Sequence, residues 1–550
     1  MPIQQLHRAG VGATKAPLQR QNLSKLIEDT LTRLSSATAR QDDPTVPRIE
    51  VHESVSNVAW AYEKLRNAID YQDEHLLRKN AIERILKRRL ISGATATQVA
   101  EPLILELIRS RYLPNASLPT TLITETALVI NRYVYLWSAV TTELPDADRR
   151  RLQDFWYGIM SVEINELLSP VTADEALAEL MYAVTYRDIQ FAPGELEESE
   201  KNIQLYIAIH RSLLKSDSNI IRYHLIRRQF PDWGTDDPDR LANLGAKFPA
   251  IHELIESQLL HPTGDLLQRI MKKYAMIFWT FEDLVLEYGP AAQDRLSEPE
   301  TVKEDVAMVF ERRRRAAAGR IFRSVVRSII YVFITKMAIA LLLELPVDRL
   351  LAAGEAVPLR PLLINIIAPP FILLLIGITN RVPGKKNLEA LQEKIAALLY
   401  KADERNSVVK PRKPIRRSGL FTALFRLFYA LVTIIVFGAI ITGLISIGFT
   451  PFSIVIFLLF LTIVSFFGIR VRLYAKELLV VDQRENAFSV LFDFLTVPIL
   501  QVGRWIALRA PKINVLIFFF DVIIEAPFKA FLEATEGFFG FLREKREEIY

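Results

Sequence analysis

Cysteine is absent from all 550 residues. Disulfides, thiolate nucleophiles, iron–sulfur clusters and cysteine-type zinc sites are therefore excluded. Histidine is scarce, with seven in the chain and none beyond His261. The C-terminal half thus lacks the His-Glu-x-x-His pair of an intramembrane zinc protease and the base that a serine nucleophile needs. Ser446, in Gly443-Leu-Ile-Ser-Ile-Gly448, reads as a small residue for helix packing. The N-terminus has no apolar core of a secretory signal. Gly10, Gly12 and Pro17 mark residues 1–17 as a flexible tail. Gly10-Val-Gly-Ala-Thr-Lys15 has neither a preceding strand nor the spacing of a phosphate loop. Alternating strand patterns are rare throughout.

Charge is present but unevenly divided. Residues 1–308 carry 35 Lys and Arg against 44 Asp and Glu; residues 309–550 carry 33 against 19. The acidic first part argues against nucleic-acid binding. The basic excess lies beside apolar runs, where it orients helices and meets anionic headgroups.

Within residues 18–308, apolar residues recur at spacings of three and four, as in Leu23, Leu26, Ile27, Leu31 and Leu34. That is the helical period. Breakers such as Leu113-Pro-Asn, Ala192-Pro-Gly and Phe230-Pro-Asp-Trp-Gly separate the stripes. Glu195, Glu197, Glu198 and Glu200 suit the positive end of a helix. Asp237-Pro238 reads as a helix start, with Asp as cap and Pro in the first turn. The expectation is an acidic all-α cytoplasmic domain over 18–308, divided near 193 or 231.

The membrane domain is placed at 309–480. Four apolar runs reach the roughly 20 residues that a helix needs to cross a bilayer: 325–345, 362–378, 428–447 and 452–469. Arg312, Arg313, Arg314 and Arg315 precede the first. The loop 346–361 is neutral, and 381–417 carries 11 basic and 4 acidic residues. Arg470, Arg472 and Lys476 follow the fourth run. This alternation puts both termini in the cytoplasm of a multi-pass protein of the cell membrane. Headgroup contacts are expected at Arg312–Arg315 and at Arg412, Lys413, Arg416 and Arg417. Residues 486–550 are Phe-rich with polar stripes, one being Asp521, Glu525, Lys529 and Glu533. Amphipathic helices lying in the interface satisfy both the stripes and the charge bias; an extra hairpin span would put Arg504, Arg509 and Lys512 outside.

Few residues invite chemistry. His252, Glu256 and His261 resemble half a metal site, but no second histidine falls at the required step. His210, on an apolar stripe, reads as a core residue. Asp493 and Asp521 lack the context of an aspartyl dyad. No enzyme, metal or cofactor is implied. The intramembrane polar candidates are Lys336, Asn365, Asp493, Asp521 and Glu525. Lys336 falls mid-span, where a cation is costly unless paired or hydrated. Either it snorkels to the surface, or it is buried against a carboxylate. Glu344, eight residues on, is off its face at regular helical spacing, so Asp493 is the expected partner. Pro369-Pro370 frees carbonyls in the second span, a pattern that often lines a site. The leading expectation is a non-enzymatic anchor or scaffold presenting its helical domain to a cytoplasmic protein partner. The alternative is a transporter or channel subunit built on Lys336 and the proline-broken span, which with four spans would need a homo-oligomer.

Overall fold

The structure is a computed structural model that describes residues 20–38, 46–51, 60, 63–64, 74–140, 144–191, 196–351, 359–379, 383–402, 409, 419–476, 478–480, 487–509 and 534. Among these residues the protein is all-helical, as expected. The only bridges between extended segments are the isolated pairs Arg48–Pro119 and Ile189–Val409. The helices are α1 (Lys25–Thr38), α2 (Glu74–Ile91), α3 (Ala96–Arg109), α4 (Thr121–Ser138), α5 (Asp146–Leu168), α6 (Thr172–Asp188), α7 (Glu198–Ser212), α8 (Ser218–Gln229), α9 (Pro238–Ala246), α10 (Phe248–Leu259), α11 (Gly264–Tyr288), α12 (Ala292–Leu296), α13 (Pro299–Ile339), α14 (Leu345–Leu351), α15 (Leu359–Thr379), α16 (Lys385–Lys401), α17 (Gly419–Ser446), α18 (Pro451–Lys476) and α19 (Ala487–Arg509). They fall into two compact units.

The first unit is formed by the described residues of Asp29–Met271, together with Val409. At its centre is α5, in which every residue from Phe155 to Asn165 is buried. A helix that is buried all round must be wrapped by others. Here α2, α4, α8 and α10 pack against it. Local signals agree with this packing. Asp237 caps α9 by accepting from the Asp239 N–H at 3.0 Å, with Pro238 at the helix start. Glu198 and Glu200 lie in the first turn of α7. Asp217 caps α8 through the Ile220 N–H at 2.9 Å and receives the buried Lys79 ammonium at 2.6 Å. One carboxylate thereby satisfies a helix end and a charge removed from water.

The second unit comprises the described residues of Met1–Glu28, Lys272–Asn406 and Arg412–Ile513. It contains four helices long and apolar enough to cross a membrane: Pro299–Leu350, Arg360–Ile378, Gly419–Ser446 and Pro451–Gly468. These match the expected spans, the third and fourth ending one residue earlier than expected, but the first and third helices begin well before the apolar run. In α13 the Arg-rich stretch continues the helix because its charges pair locally. Arg314 and Arg315 both bond Glu311, and Arg313 bonds Asp283 of α11 at 2.6 and 2.9 Å. Glycines let the spanning helices approach closely. A Cβ on Gly503 of α19 would stand 2.0 Å from the Thr462 carbonyl oxygen of α18. One on Gly468 would stand 2.5 Å from Ile376, and one on Gly377 2.8 Å from Val325. The turn between α17 and α18 is a Schellman cap. Gly448, at φ +95°, donates to Ile445 O, and Phe449 donates to Leu444 O. Glycine suits the positive φ there.

The apolar stretch of α19, Phe494–Ile506, is shorter than a span. The tail 1–17, the remaining C-terminal segment with Asp521 and Glu525, and Arg412, Lys413, Arg416 and Arg417 lie outside the described residues.

Candidate functional site: an intramembrane polar cluster

Between Ile339 and Leu345 the first spanning helix leaves the α-helical pattern. Residues Ala340–Glu344 form a π turn, in which the Leu345 N–H bonds the Ala340 carbonyl five residues back. Pro346 follows at once. A proline within a helix clashes with the carbonyl four residues before it, and a widened turn relieves that clash. The same turn changes which side chains share a face. Eight residues of regular α-helix leave a side chain about 80° from its starting face. The π turn winds less per residue and takes up most of that offset.

Lys336 and Glu344 thereby meet. The Lys336 ammonium pairs with Glu344 Oε1, and both residues are wholly buried. From α15, the Asn365 amide donates to Glu344 Oε2 at 2.6 Å. From α18, the Phe460 ring lies 5.0 Å from the ammonium, within cation–π range. Among the described residues the partner of Lys336 is therefore Glu344, because the π turn carries it onto the lysine's face. Asp493 lies in α19, with its side chain outside the described residues.

A second polar contact sits one turn beyond. Asp348 of α14, also buried, accepts from Thr450 Oγ1 at 2.6 Å and Ser453 Oγ at 3.0 Å. Thr450 also accepts from the Ser453 N–H at 3.2 Å, so it caps α18. The carboxylate thus faces a helix N-terminus, where negative charge is favoured. Sequence reading missed this contact. Its signal was the Thr450-Pro-x-Ser453 helix start together with a carboxylate four residues after Glu344.

One polar atom in the cluster is left over. Asn365 Oδ1 is buried without a hydrogen-bond partner. The Asn365 backbone carbonyl also lacks its usual helical donor, because the residue four positions on is Pro369. The cluster can hold three helices in register through a neutral ion pair, and it leaves one unpartnered oxygen, Asn365 Oδ1.

No family model, curated protein or solved structure matches this chain.

Outside the spans, the residues singled out from sequence do not converge. His252 packs on the Phe155 ring, Glu256 takes the Arg222 guanidinium at 2.6 Å, and His261 bonds Thr263. His210 is buried, stacked on Tyr206 and beside Ser216. Burial, then the neighbouring His224, pushes its pKa down to about 3. The fold instead gathers His224 of α8, Glu166 of α5 and Glu175 of α6. Burial lowers the His224 pKa, but the Glu166 hydrogen bond and the two carboxylates outweigh it, so the net shift is upward. Of the expected headgroup residues, Arg312, Arg313, Arg314 and Arg315 all have carboxylate partners within this chain.

Proposed function

We propose that this chain is a non-enzymatic multi-pass membrane anchor that holds its helical extramembrane unit at the cytoplasmic face for a protein partner. The observation that carries this reading is the closure of Lys336 on Glu344 and Asn365, all three wholly buried. A lysine serving a transport pathway must be reachable by water or cargo; one whose charge is met inside the bundle supports a role in holding helices together. The basic, neutral, basic alternation of the loops supports cytoplasmic termini. The acidic composition of residues 1–308 supports a protein partner over a nucleic acid.

Transport by an oligomer is the second reading. It is favoured by the unpartnered Asn365 Oδ1 and by Pro369 and Pro370, which supply no N–H to the carbonyls of the preceding turn.

One variant series tests the two readings. Breaking a buried pair from one side leaves the other charge uncompensated and costs about 3–5 kcal/mol. Lys336→Met should therefore lower the unfolding midpoint of the detergent-purified protein sharply. Lys336→Met with Glu344→Gln should restore most of it. The anchor reading also expects intact protein in liposomes to carry no ion flux above empty vesicles. Flux that the folded double variant abolishes would replace it with the transport reading.

A further inference from the structure

The first unit encloses a cleft of about 810 Å³. Its lining includes Glu166, Glu175, His210 and His224. Each comes from a different helix: Glu166 from α5, Glu175 from α6, His210 from α7 and His224 from α8. We propose that this cleft is a binding site for a divalent transition-metal ion, held by Glu166, Glu175 and His224, with His210 as the fourth donor.

The geometry suits such an ion. The ligand atoms of Glu166, Glu175 and His224 all lie within 4.8 Å of one another. A tetrahedral ion with bonds near 2.1 Å sets its donor atoms roughly 3.4 Å apart, so modest side-chain rotation closes the set. His224 Nε2 stands 2.8 Å from Glu166, and Nδ1 stands 3.8 Å from Glu175, so one of the two carboxylates must turn toward the ring nitrogen that holds the ion. The His210 ring centroid is 5.3 Å from that of His224. His210 is 2% exposed, and the sole hydrogen-bond contact of its ring among the described residues is a long one, 3.4 Å from Nδ1 to the Ser216 hydroxyl. A buried imidazole facing a cleft with a free ring nitrogen is a donor in search of a partner.

The donor chemistry selects the ion. Two carboxylates and two imidazoles suit Zn²⁺, Mn²⁺, Fe²⁺ or Co²⁺; Mg²⁺ and Ca²⁺ prefer oxygen alone. Donors from facing helices of one bundle are a common way to build such centres. A pairing of protonated His224 with its two glutamates would neutralise only one of the two carboxylates, and it would leave His210 unused.

The test uses the full chain in detergent, stripped with a chelator and titrated with Zn²⁺ by calorimetry, then with Co²⁺ by visible absorption. One Zn²⁺ should bind per chain and raise the unfolding midpoint. Co²⁺ should develop the intense visible bands of a low-coordinate site. Glu175→Gln, at the more exposed edge, should fold as the parent does and bind at least about tenfold more weakly; His224→Gln should lose the cobalt bands. His252→Gln and His261→Gln, outside the cleft, should bind like the parent. Absence of Zn²⁺ binding by the parent would leave only an ion pair and overturn the proposal. Equal binding by folded Glu175→Gln and His224→Gln would overturn it too. The liposome and Lys336 experiments are independent of all these readouts.

Discussion

At the scale of single residues, the chain places charges where solvent cannot reach and answers each one. Lys79 lies between Asp217 and Glu83, and Glu163 takes both the Arg132 guanidinium and the Tyr133 hydroxyl. His210 is different, because it is kept neutral by burial. Its pKa falls from 6.5 to about 3, so the folded state binds fewer protons than the unfolded state over that interval. Its contribution to stability is complete above pH 6.5 and is lost as pH falls below it. At pH 5 the loss is about 2 kcal/mol. His224 is shifted upward, so its contribution is complete below 6.5 and declines at higher pH. Denaturant unfolding followed by tryptophan fluorescence should show the parent losing about 2 kcal/mol more than His210→Gln between pH 7 and 5. Equal slopes would mean that His210 is protonated in the folded state. Sequence reading expected His210 as a satisfied core residue; it is buried, but its ring has only the long Ser216 contact and lines the cleft. That reading did not find His224 with Glu166 and Glu175, because residues on three helices at unrelated spacings leave no local pattern. The Asp237 cap was legible because capping is settled within four residues.

Among the elements, the spanning helices were the most legible, since length and apolarity alone mark them. Two features had no sequence signature in ordinary helical arithmetic. One is the π turn at Ala340–Glu344, without which Glu344 points away from Lys336. Pro346 was its only trace. The other is the close seating of α19 on α18. Gly503 drew no notice in the sequence, yet a Cβ there would run into the Thr462 backbone. Backbone cannot move aside as a flexible side chain can, so Gly503→Leu should force the two helices apart. A cysteine pair placed across the α18–α19 contact reports the change, because the parent sequence contributes none of its own. A parent-like cross-linking yield in Gly503→Leu would show that α19 tolerates separation or leaves α18 in solution. The extent of α13 was also longer than hydropathy alone indicated. The apolar window marks only its membrane part, and ion pairs such as Arg313–Asp283 support the rest.

For the whole molecule, the expectation most open to direct test is the orientation of its loops. Reporter fusions at Gly354 and Lys401 should report opposite sides of the membrane, with Lys401 on the same side as the N-terminal unit. Labelling of both sites from outside would break the proposed topology. This expectation rests on charge, to which each loop contributes separately. The division of the chain was less legible, since the contacts change over at residue 271 within α11, a helix with no breaker to announce it. The length of α13 has a further consequence. From Pro299 to Val325 the helix rises about 39 Å along its axis before the apolar run begins, at 1.5 Å per residue. If the apolar run crosses a bilayer along its normal, a stem of that length is a ruler: it sets how far from the lipid its first turn stands, and a partner docking beside that turn is selected by height above the bilayer as well as by chemistry.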